Sequence, residues 1–262
     1  MIDYTISLDN VEYMLCILVR ISLFVYTAPF FSQRGVPRMV KVAFSLFLTG
    51  IMYTILGEHE PLQYQTVYGY ATIVLKEALT GVLIGYSANI CNSIVDLAGR
   101  VMDMESGLSM SNLMDPNTGQ MGSMTGVFYQ YAVTLMLIIS GMHRYLLSAL
   151  AETFTLIPVN GAVFDEDRLL ESIIRFAGDY VEIGFRICLP VFAVMLLLNA
   201  VLGIMAKVAP QMNMFAVGMQ LKVLVGICIL FFTASLMPIV ANFIYTEMKT
   251  MVATFVSTMI QT

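Results

Sequence analysis

The side chains best suited to catalysis are two histidines, His59 and His143, and two closely spaced carboxylates, Asp103 and Glu105. Such groups act as general acids and bases only when the surrounding residues hold them beside a substrate. The sequence contains no HExxH, GxSxG or P-loop pattern. The histidines are typical of loop or helix-end positions, and a charged loop edge accounts for the two carboxylates. We therefore predict that the protein is not an enzyme and uses no cofactor.

The four cysteines could in principle bind a metal ion or form disulfides, but their spacing favours neither. They lack the CxxC spacing of zinc and redox sites, and no histidine is near them in the sequence. Each lies inside an apolar run, so we expect free, buried thiols that pack as small hydrophobic side chains. They are Cys16, Cys91, Cys188 and Cys228.

The composition is typical of a membrane protein. Of the 262 residues, 58% are hydrophobic and 12% are charged, and the mean hydropathy is +0.81. Soluble domains have about 25% charged residues, which cover the surface of the core. This chain is therefore expected to contact lipid or other apolar subunits. The formal net charge of −5 and the lack of a basic cluster exclude nucleic acid as a partner.

Six apolar segments approach the length of a membrane-spanning helix, which needs about 20 residues. Pro29, Pro190 and Pro238 lie in or beside three of these segments and predict kinks or breaks. The sequence predicts an all-α, membrane-associated protein with about six long apolar helices, over residues 11–32, 42–57, 78–95, 116–142, 187–206 and 223–246.

Three charged residues, Arg20, Lys76 and Glu77, lie within or beside the predicted spans. Because charge is costly in lipid, we expect these side chains to face protein. We also expect them, together with Lys207, to need contacts from partner subunits. The spacings of Gly81 and Gly85, and of Gly122 and Gly126, predict close packing between helices.

Residues 165–186 have the pattern of an amphipathic helix. Asp165 and Asp167 are part of an acidic start, which is favoured at a helix N-terminus. We expect the apolar face to pack on the protein's own interfacial surface rather than to act as a dedicated lipid-binding element. That face consists of Leu169, Leu170, Ile173, Ala177, Tyr180, Val181 and Gly184.

Residues 99–126 separate two apolar runs but have the composition of neither a membrane helix nor a solvated loop. Methionine, which is frequent here, is unbranched and adapts to changing surroundings. Asp115 followed by Pro116 is typical of a turn. Two interpretations are open: a methionine-rich core loop, or a compliant closure inside a protein-lined cavity, where non-helical backbone is tolerated at membrane depth. The methionines are Met102, Met104, Met110, Met114, Met121 and Met124.

Residues 202–226 have the pattern of a polar hairpin tip between two apolar helices. The central Pro-Gln-Met-Asn-Met-Phe is apolar for an exposed turn, so generic loop chemistry does not account for it. The residues that define it are Lys207, Pro210, Gln211, Asn213, Phe215 and Lys222.

These segments resemble the signatures of a known family, that of FliR, the R component of the type III protein export gate. Its central signature is similar to GRVMDMESGLSMSNLMDPNTGQ, and its second signature is similar to AKVAPQMNMFAVGMQLK. An early Pro-Phe-Phe and Gly-Val-Pro also match, in RISLFVYTAPFFSQRGVPRMVK. The order, spacing and chain length agree, so the resemblance covers almost the whole chain.

The resemblance implies a subunit of a protein-conducting gate in the bacterial inner membrane, at the flagellar basal body. Such subunits join P and Q partners (FliP and FliQ type) and a B component (FlhB type). Together they form the channel through which unfolded flagellar subunits leave the cytoplasm. The resemblance also implies packed helical hairpins, with residues 1–186 similar to the P partner and residues 187–262 similar to the Q partner.

The family's central loop plugs the channel, and by position this role falls on residues 107–120. The implied plug residues are Gly107, the apolar closure Met110, Leu113 and Met114, and the turn residues Asp115 and Pro116. The hairpin tip defined above is expected near the cytoplasmic entrance of the channel.

Two other functions remain open at this point. One is the equivalent export-gate subunit of a virulence injectisome, although the Asp-Pro-Asn-Thr-Gly turn favours the flagellar form. The other is a small-molecule secondary transporter, which usually has matching repeats with broken helices and a polar midplane site. We find no convincing internal repeat, and the apolar runs hold few charges.

Overall fold

The structure, a computed structural model, describes residues 8–33, 35–57, 61–111, 113–114, 121–209, 211 and 213–260. This part of the chain is almost entirely helical, with one 3-10 turn and one two-stranded ladder between the third and fourth helices. The α-helices are α1 (Leu8–Thr27), α2 (Arg38–Leu56), α3 (Val67–Ser106), α4 (Met124–Ile139), α5 (Met142–Leu156), α6 (Glu166–Val208), α7 (Met214–Ala234) and α8 (Met237–Thr258).

Within the described ranges, five helices are long and apolar enough to cross a membrane, namely α1, α2, α3, α6 and α7. A sixth span results if α4 and α5 are counted together as one broken span. The predicted all-α membrane protein with about six long apolar helices is confirmed.

The predicted segments and the observed helices differ in three places. The predicted span 223–246 is interrupted, since α7 ends at Ala234 and α8 begins at Met237. Only the part of 116–142 that begins at Met124 belongs to α4. Helix α5 is missing from the predicted spans, because Arg144 and Glu152 interrupt its apolar character.

The prolines lie at helix ends in two of the three predicted places. Pro29 follows the end of α1, and Pro238 lies in the first turn of α8, where a residue without an N–H group costs little because that N–H would have no helical partner. Pro190 lies inside α6, which is helical on both sides of it.

The described helices form two compact units. Unit 1 falls within Met1–Asn89, Met142–Ile174 and Met248–Thr262, and unit 2 within Ile90–Gly141 and Arg175–Glu247. The expected division at residue 186, by likeness to the P and Q partners, falls inside α6 and remains a prediction.

Unit 1 contains a buried ion pair between α1 and α3. Arg20 Nε donates to Glu77 Oε2 at 2.6 Å, and neither side chain is exposed. Arg20 also donates to the carbonyl oxygens of Thr153 and Ile157, at 3.3 and 2.9 Å, and the other Glu77 oxygen accepts from the Asn160 N–H at 2.9 Å. These charges face protein, as predicted. The expectation that they need partner subunits is wrong, since the chain itself satisfies them.

The α1–α3 contact is close because glycines line it. A Cβ atom at Gly81 would overlap with the backbone of Arg20, and one at Gly85 would overlap with the Thr27 side chain. The helix-packing role predicted for Gly81 and Gly85 is confirmed, and small residues of this kind let helix backbones approach in apolar surroundings.

In unit 2, α6 and α7 form an antiparallel hairpin. A Cβ atom at Gly218 would lie 3.4 Å from a Leu202 methyl carbon, and one at Gly226 would lie 3.3 Å from Met195 Cε. The later glycine of α7 contacts the earlier residue of α6, so the two helices run antiparallel. Helix α4 joins α7 through a hydrogen bond of 2.6 Å between the hydroxyl groups of Tyr129 and Thr233.

The amphipathic segment predicted at 165–186 is helical, but α6 continues to Val208, because the apolar run that follows extends the helix. Asp165 caps its start by accepting from the Asp167 N–H at 3.0 Å. Much of the predicted apolar face is exposed, including Leu170, Ile173 and Val181. The expectation that this face packs on the chain's own surface is wrong for these three residues.

The cysteines form no disulfide bonds with one another, and three of them are buried, as predicted. Cys228 is exposed on α7, so the prediction of burial is wrong there. An apolar run alone does not indicate which helix face turns towards the core.

Candidate functional site

The candidate loop leaves helical geometry at Gly107. Helix α3 ends at Ser106, and Gly107 has a φ of +76°, in the left-handed region that glycine adopts without a steric cost from Cβ. A glycine in this conformation is a common end to a helix. A 3-10 turn, Leu108–Ser111, follows and includes Met110.

Two short antiparallel strands, each of two residues, follow this turn. Leu113–Met114 pairs antiparallel with Met121–Gly122, with Leu113 opposite Gly122 and Met114 opposite Met121. The backbone at Leu113 and Met114, two of the predicted closure residues, is therefore paired. The predicted turn residues Asp115 and Pro116 lie between the strands and outside the described residues.

Asp103 connects the last turn of α3 to the first turn of α4, and these two helix ends form the base of the loop. Its carboxylate accepts from the backbone N–H of Thr125, which lies 3.3 Å from each oxygen, and from the Thr125 hydroxyl. Both side chains are buried. A carboxylate at the N-terminus of a helix is favoured by the N–H groups and the dipole there. The predicted position of Asp103 on a charged loop edge is wrong, since it lies in the last turn of α3.

The first turn of α4 is fixed from two further directions. Ser123 caps the helix, since its hydroxyl accepts from the Gly126 N–H at 2.7 Å. Gly126 packs directly on α3, where a Cβ atom at Gly99 would overlap with the Gly126 backbone. The two helices therefore meet at backbone distance next to the loop.

Helix α7 also reaches the base of the loop, at Gly226. A Cβ atom there would lie 2.8 Å from Ser106 Cβ, and Ser106 is the last residue of α3. Real side chains do not approach this closely without a shift of one element. A glycine is required for α7 to pass this point.

The predicted hairpin tip connects α6 to α7. Lys207 is exposed in the last turn of α6, where a positive charge is favourable near the helix C-terminus. Asn213 is the N-cap of α7, since its side chain accepts from the Ala216 N–H at 3.4 Å. Asn213 therefore has a structural role that its position before an apolar helix already indicates.

The other tip residues are spread along the start of α7. Gln211 is exposed, Phe215 lies in the first turn and Lys222 is half-buried, whereas Pro210 falls outside the described residues. Gly226 lies about 20 Å along the helix axis from Asn213 at 1.5 Å per residue. The tip and the base of the loop are therefore separate sites on one helix.

The base of the loop holds the end of α3 and the start of α4 together. Among the residues that the structure describes, no three His, Cys, Asp or Glu side chains are placed to hold a metal ion. The groups present supply hydrogen bonds at Asp103 and Ser123 and apolar contacts around them.

The family model for bacterial export proteins, family 1, matches residues 11–248. The chain belongs to this family. It is 29% identical over 240 residues to the flagellar biosynthetic protein FliR of Bacillus subtilis, covering 91% of this chain and 92% of that protein. It is 28% identical over 247 residues to the FliR of Escherichia coli, covering 92% and 91%. The FliR of Aquifex aeolicus is 26% identical over 232 residues, covering 87% and 88%.

In this family 1 export protein, Asp103 and Gly226 are among the site residues that the sequence analysis does not predict. The sequence offers one signal for Asp103, an acidic residue close before Gly107 in a segment with few charges. Gly226 offers none, because only the packing of α7 against Ser106 gives it a role.

Proposed function

We propose that this protein is a subunit of the flagellar type III protein export gate, in which residues 107–120 plug the channel. Membership of the export family supports an export role, and the relatives' name, flagellar biosynthetic protein, favours the flagellar apparatus over an injectisome. Five helices apolar enough to span a membrane support a location in the inner membrane.

One observation carries the plug proposal: the base of the loop is held by hydrogen bonds and close packing, whereas the described part beyond it has only short backbone pairing. Asp103, Thr125 and Gly126 fix the ends of α3 and α4. Beyond Gly107, the described backbone has one 3-10 turn and a ladder of two residues per strand. Short ladders of this kind are marginally stable. The two strands can therefore separate while the hydrogen bonds at the base stay in place.

The side chains of this segment suit a closure that has to be displaced. A pore wide enough for an unfolded polypeptide leaks ions unless an apolar constriction excludes water. Met110 and Met114 supply flexible apolar side chains, which pack against different surfaces at low cost. Gly107 lets the chain leave α3 at the start of the segment.

The partners in this proposal are the P and Q subunits and the B component of the gate. Helices α6 and α7 support it, because both present large apolar side chains that the chain does not cover, including Leu197, Ile204, Leu224, Phe231 and Phe232. Lipid or neighbouring hairpins have to cover these faces, and unfolded flagellar proteins are the proposed cargo.

Deletion of residues 113–122 tests the proposal. It removes the ladder and everything between its strands but keeps Asp103, Ser123 and Thr125, which hold the base. Cells that express the complete gate with this variant should take up a membrane-impermeant dye and show raised ion conductance. Co-purification of the P and Q subunits checks assembly. If gates that carry the deletion assemble in normal amounts and leak no more than wild type, the plug proposal is wrong and the loop is a structural turn.

A complementation assay tests the flagellar assignment separately. The intact chain, expressed with its own partners in a flagellated bacterium that lacks the R, P and Q subunits, should restore filament growth. Restoration of injectisome secretion without filament growth would overturn the flagellar assignment.

A further inference from the structure

An apolar groove lies between α1, α2 and α5 in unit 1, with a volume of about 230 Å³. Its lining includes Ile51 and Ile55 of α2 and Leu147 and Leu150 of α5. Ile51 is 39% and Ile55 is 68% exposed, so the groove opens onto the outer face of α2. An apolar cavity of about 150 Å³ is already large enough to bind benzene. This groove can therefore hold several methylene groups of an apolar ligand.

The helices around the groove present an apolar surface on that side. Both α1 and α2 are long and apolar enough to span a membrane. Leu46 and Phe47, which lie on α2 just before the groove residues, are exposed. Lipid acyl chains are as apolar as leucine side chains and surround such a surface in a bilayer. The groove is therefore open to acyl chains.

The first turn of α5 places a cation at one end of the groove. Arg144 lies one turn before Ser148 and two turns before Ala151, and residues at these spacings share one helix face. Ser148 and Ala151 both line the groove, so Arg144 lies on the groove side of α5. Its side chain is exposed, and the four ion pairs of the described residues do not include it. This charge next to an apolar groove is complementary to an amphiphile with an anionic head.

The same turn of α5 offers further hydrogen-bonding groups. Helix α5 begins at Met142, and the first N–H groups of a helix favour negative charge. Nδ1 of His143 is buried and has no hydrogen-bond partner among the described residues, although most buried polar atoms have one. A phosphate oxygen at Arg144 can supply that partner when the imidazole rotates. The Ser148 hydroxyl, on an exposed residue of the groove lining, adds a donor for an ester oxygen.

We propose that this groove binds an anionic phospholipid, with the phosphate at Arg144 and an acyl chain between α2 and α5. Basic pockets between membrane helices bind anionic lipid headgroups in this way. A helix of a partner subunit fits less well, because it would have to carry a carboxylate opposite Arg144, and charge is costly in an apolar helix. The assignment is independent of the proposed gate function, since it requires only the folded chain in its membrane.

Photolabelling tests the proposal. The full-length chain with its partner subunits is placed in phosphatidylcholine nanodiscs that contain a trace of phosphatidylglycerol with a photoreactive acyl chain. After irradiation, peptide mass spectrometry should find this lipid attached to α2 and α5 at the groove. Arg144→Gln removes the charge and should lower the labelling about tenfold, because charge-assisted hydrogen bonds are strong. Ala151→Phe fills the groove and should lower it as much.

Two variants on α6 are the matched controls. Arg175→Gln and Ala177→Phe change exposed residues outside the groove and should leave the labelling unchanged. Co-purification of the partner subunits checks assembly. If Ala151→Phe fails to assemble, Ser148→Phe decides, since it fills the groove from an exposed position.

A second probe tests the headgroup. Phosphatidylcholine with the same photoreactive chain has no net charge and should label the wild-type groove more weakly than phosphatidylglycerol does. Arg144→Gln should remove this difference, because the guanidinium is the group that favours the net negative charge.

Groove labelling that is unchanged in Arg144→Gln and in Ala151→Phe overturns the proposal, and so does an equal loss in the α6 controls. A wild-type groove that takes no photoreactive lipid, together with less co-purified partner in Ala151→Phe, assigns the groove to a partner helix instead. Failure of the gate function gives a different pattern. In that case deletion of residues 113–122 leaves the membrane tight, whereas the groove is still labelled.

Discussion

Arg20 and Glu77 form an ion pair across α1 and α3, with 2.6 Å between Nε and Oε2 and no exposure of either side chain. The guanidinium also stacks over the Phe154 ring, 4.3 Å from its centroid, and donates to carbonyl oxygens at the end of α5. The remaining carboxylate oxygen accepts from Asn160. This pair therefore connects three helices and a loop inside unit 1.

Removal of one member of this pair should strongly destabilise the chain. Glu77→Ala leaves a buried, unpaired guanidinium, which costs about 3 to 5 kcal/mol. Replacement of both residues by apolar ones, Arg20→Met with Glu77→Leu, should recover much of this loss, because no uncompensated charge remains. Both effects are measured by thermal unfolding of the purified gate, with the loss of subunit association as the readout.

The exposed pair of Arg186 and Glu182 is the control for this prediction. Its side chains are 62% and 69% exposed, so Glu182→Ala should cost less than about 1 kcal/mol. Equal effects of Glu77→Ala and Glu182→Ala would show that the buried pair has no special role.

Gly226 should not tolerate a side chain. Gly226→Ala places a Cβ atom 2.8 Å from Ser106 Cβ, so α7 or the end of α3 has to move, at a cost of about 1 to 3 kcal/mol for overpacking. Gly203→Ala, in α6, meets nothing within 4 Å and should stabilise its helix by about 0.5 to 1 kcal/mol. Unfolding temperatures of the two variants compare the effects. The prediction is wrong if Gly226→Ala is as stable as Gly203→Ala.

The loop methionines should contribute to the ion barrier. Replacement of Met110 and Met114 by serine keeps the backbone but makes the constriction polar, so water enters more easily. We expect a measurable dye leak that is smaller than that of the deletion of residues 113–122. Met104→Ser is the control, because Met104 is also in the methionine-rich segment but is 73% exposed on α3. A leak from Met104→Ser as large as that from the loop variants would refute this prediction.

The tip between α6 and α7 should lie at the cytoplasmic side, against a neighbouring hairpin. A cysteine at the exposed position Gln211 should crosslink to one in the hairpin of a P or Q partner in assembled gates. The chain in this assay carries Cys228→Ser, because Cys228 is the exposed native thiol among the described residues. The same cysteine without its partner cysteine is the control. Labelling at Gln211 by a periplasmic, membrane-impermeant thiol reagent would contradict the placement.

The helices were the most predictable part of this protein, because helix formation and apolar character are local properties of the chain. The residues at which helices end and begin were less predictable. The run of uncharged residues from 223 to 246 reads as one span, but α7 ends at Ala234 and α8 starts at Met237. Hydrophobicity measures whether a segment belongs in lipid, and it carries little information on where the backbone turns.

In the candidate site, too, one residue could be predicted from the sequence and another could not. Gly107 could be predicted as the point where the chain leaves α3, since a glycine after a helix is a local signal, and its φ of +76° agrees. Asp103 could not, because its partner Thr125 is 22 residues away. From the sequence alone it is one of two neighbouring carboxylates, and only the contact with α4 distinguishes it from Glu105.

By itself, the sequence determined the class of protein, the approximate number of apolar helices and the location of the methionine-rich loop, since each depends on composition or on residues close together in the chain. Tertiary structure decided which charges are satisfied inside the chain and which groups hold the loop. Arg20 meets Glu77 across 57 residues, and Gly226 meets Ser106 from another helix. Such pairs depend on how helices cross, and many crossings are compatible with the same apolar pattern, so only the folded packing selects one.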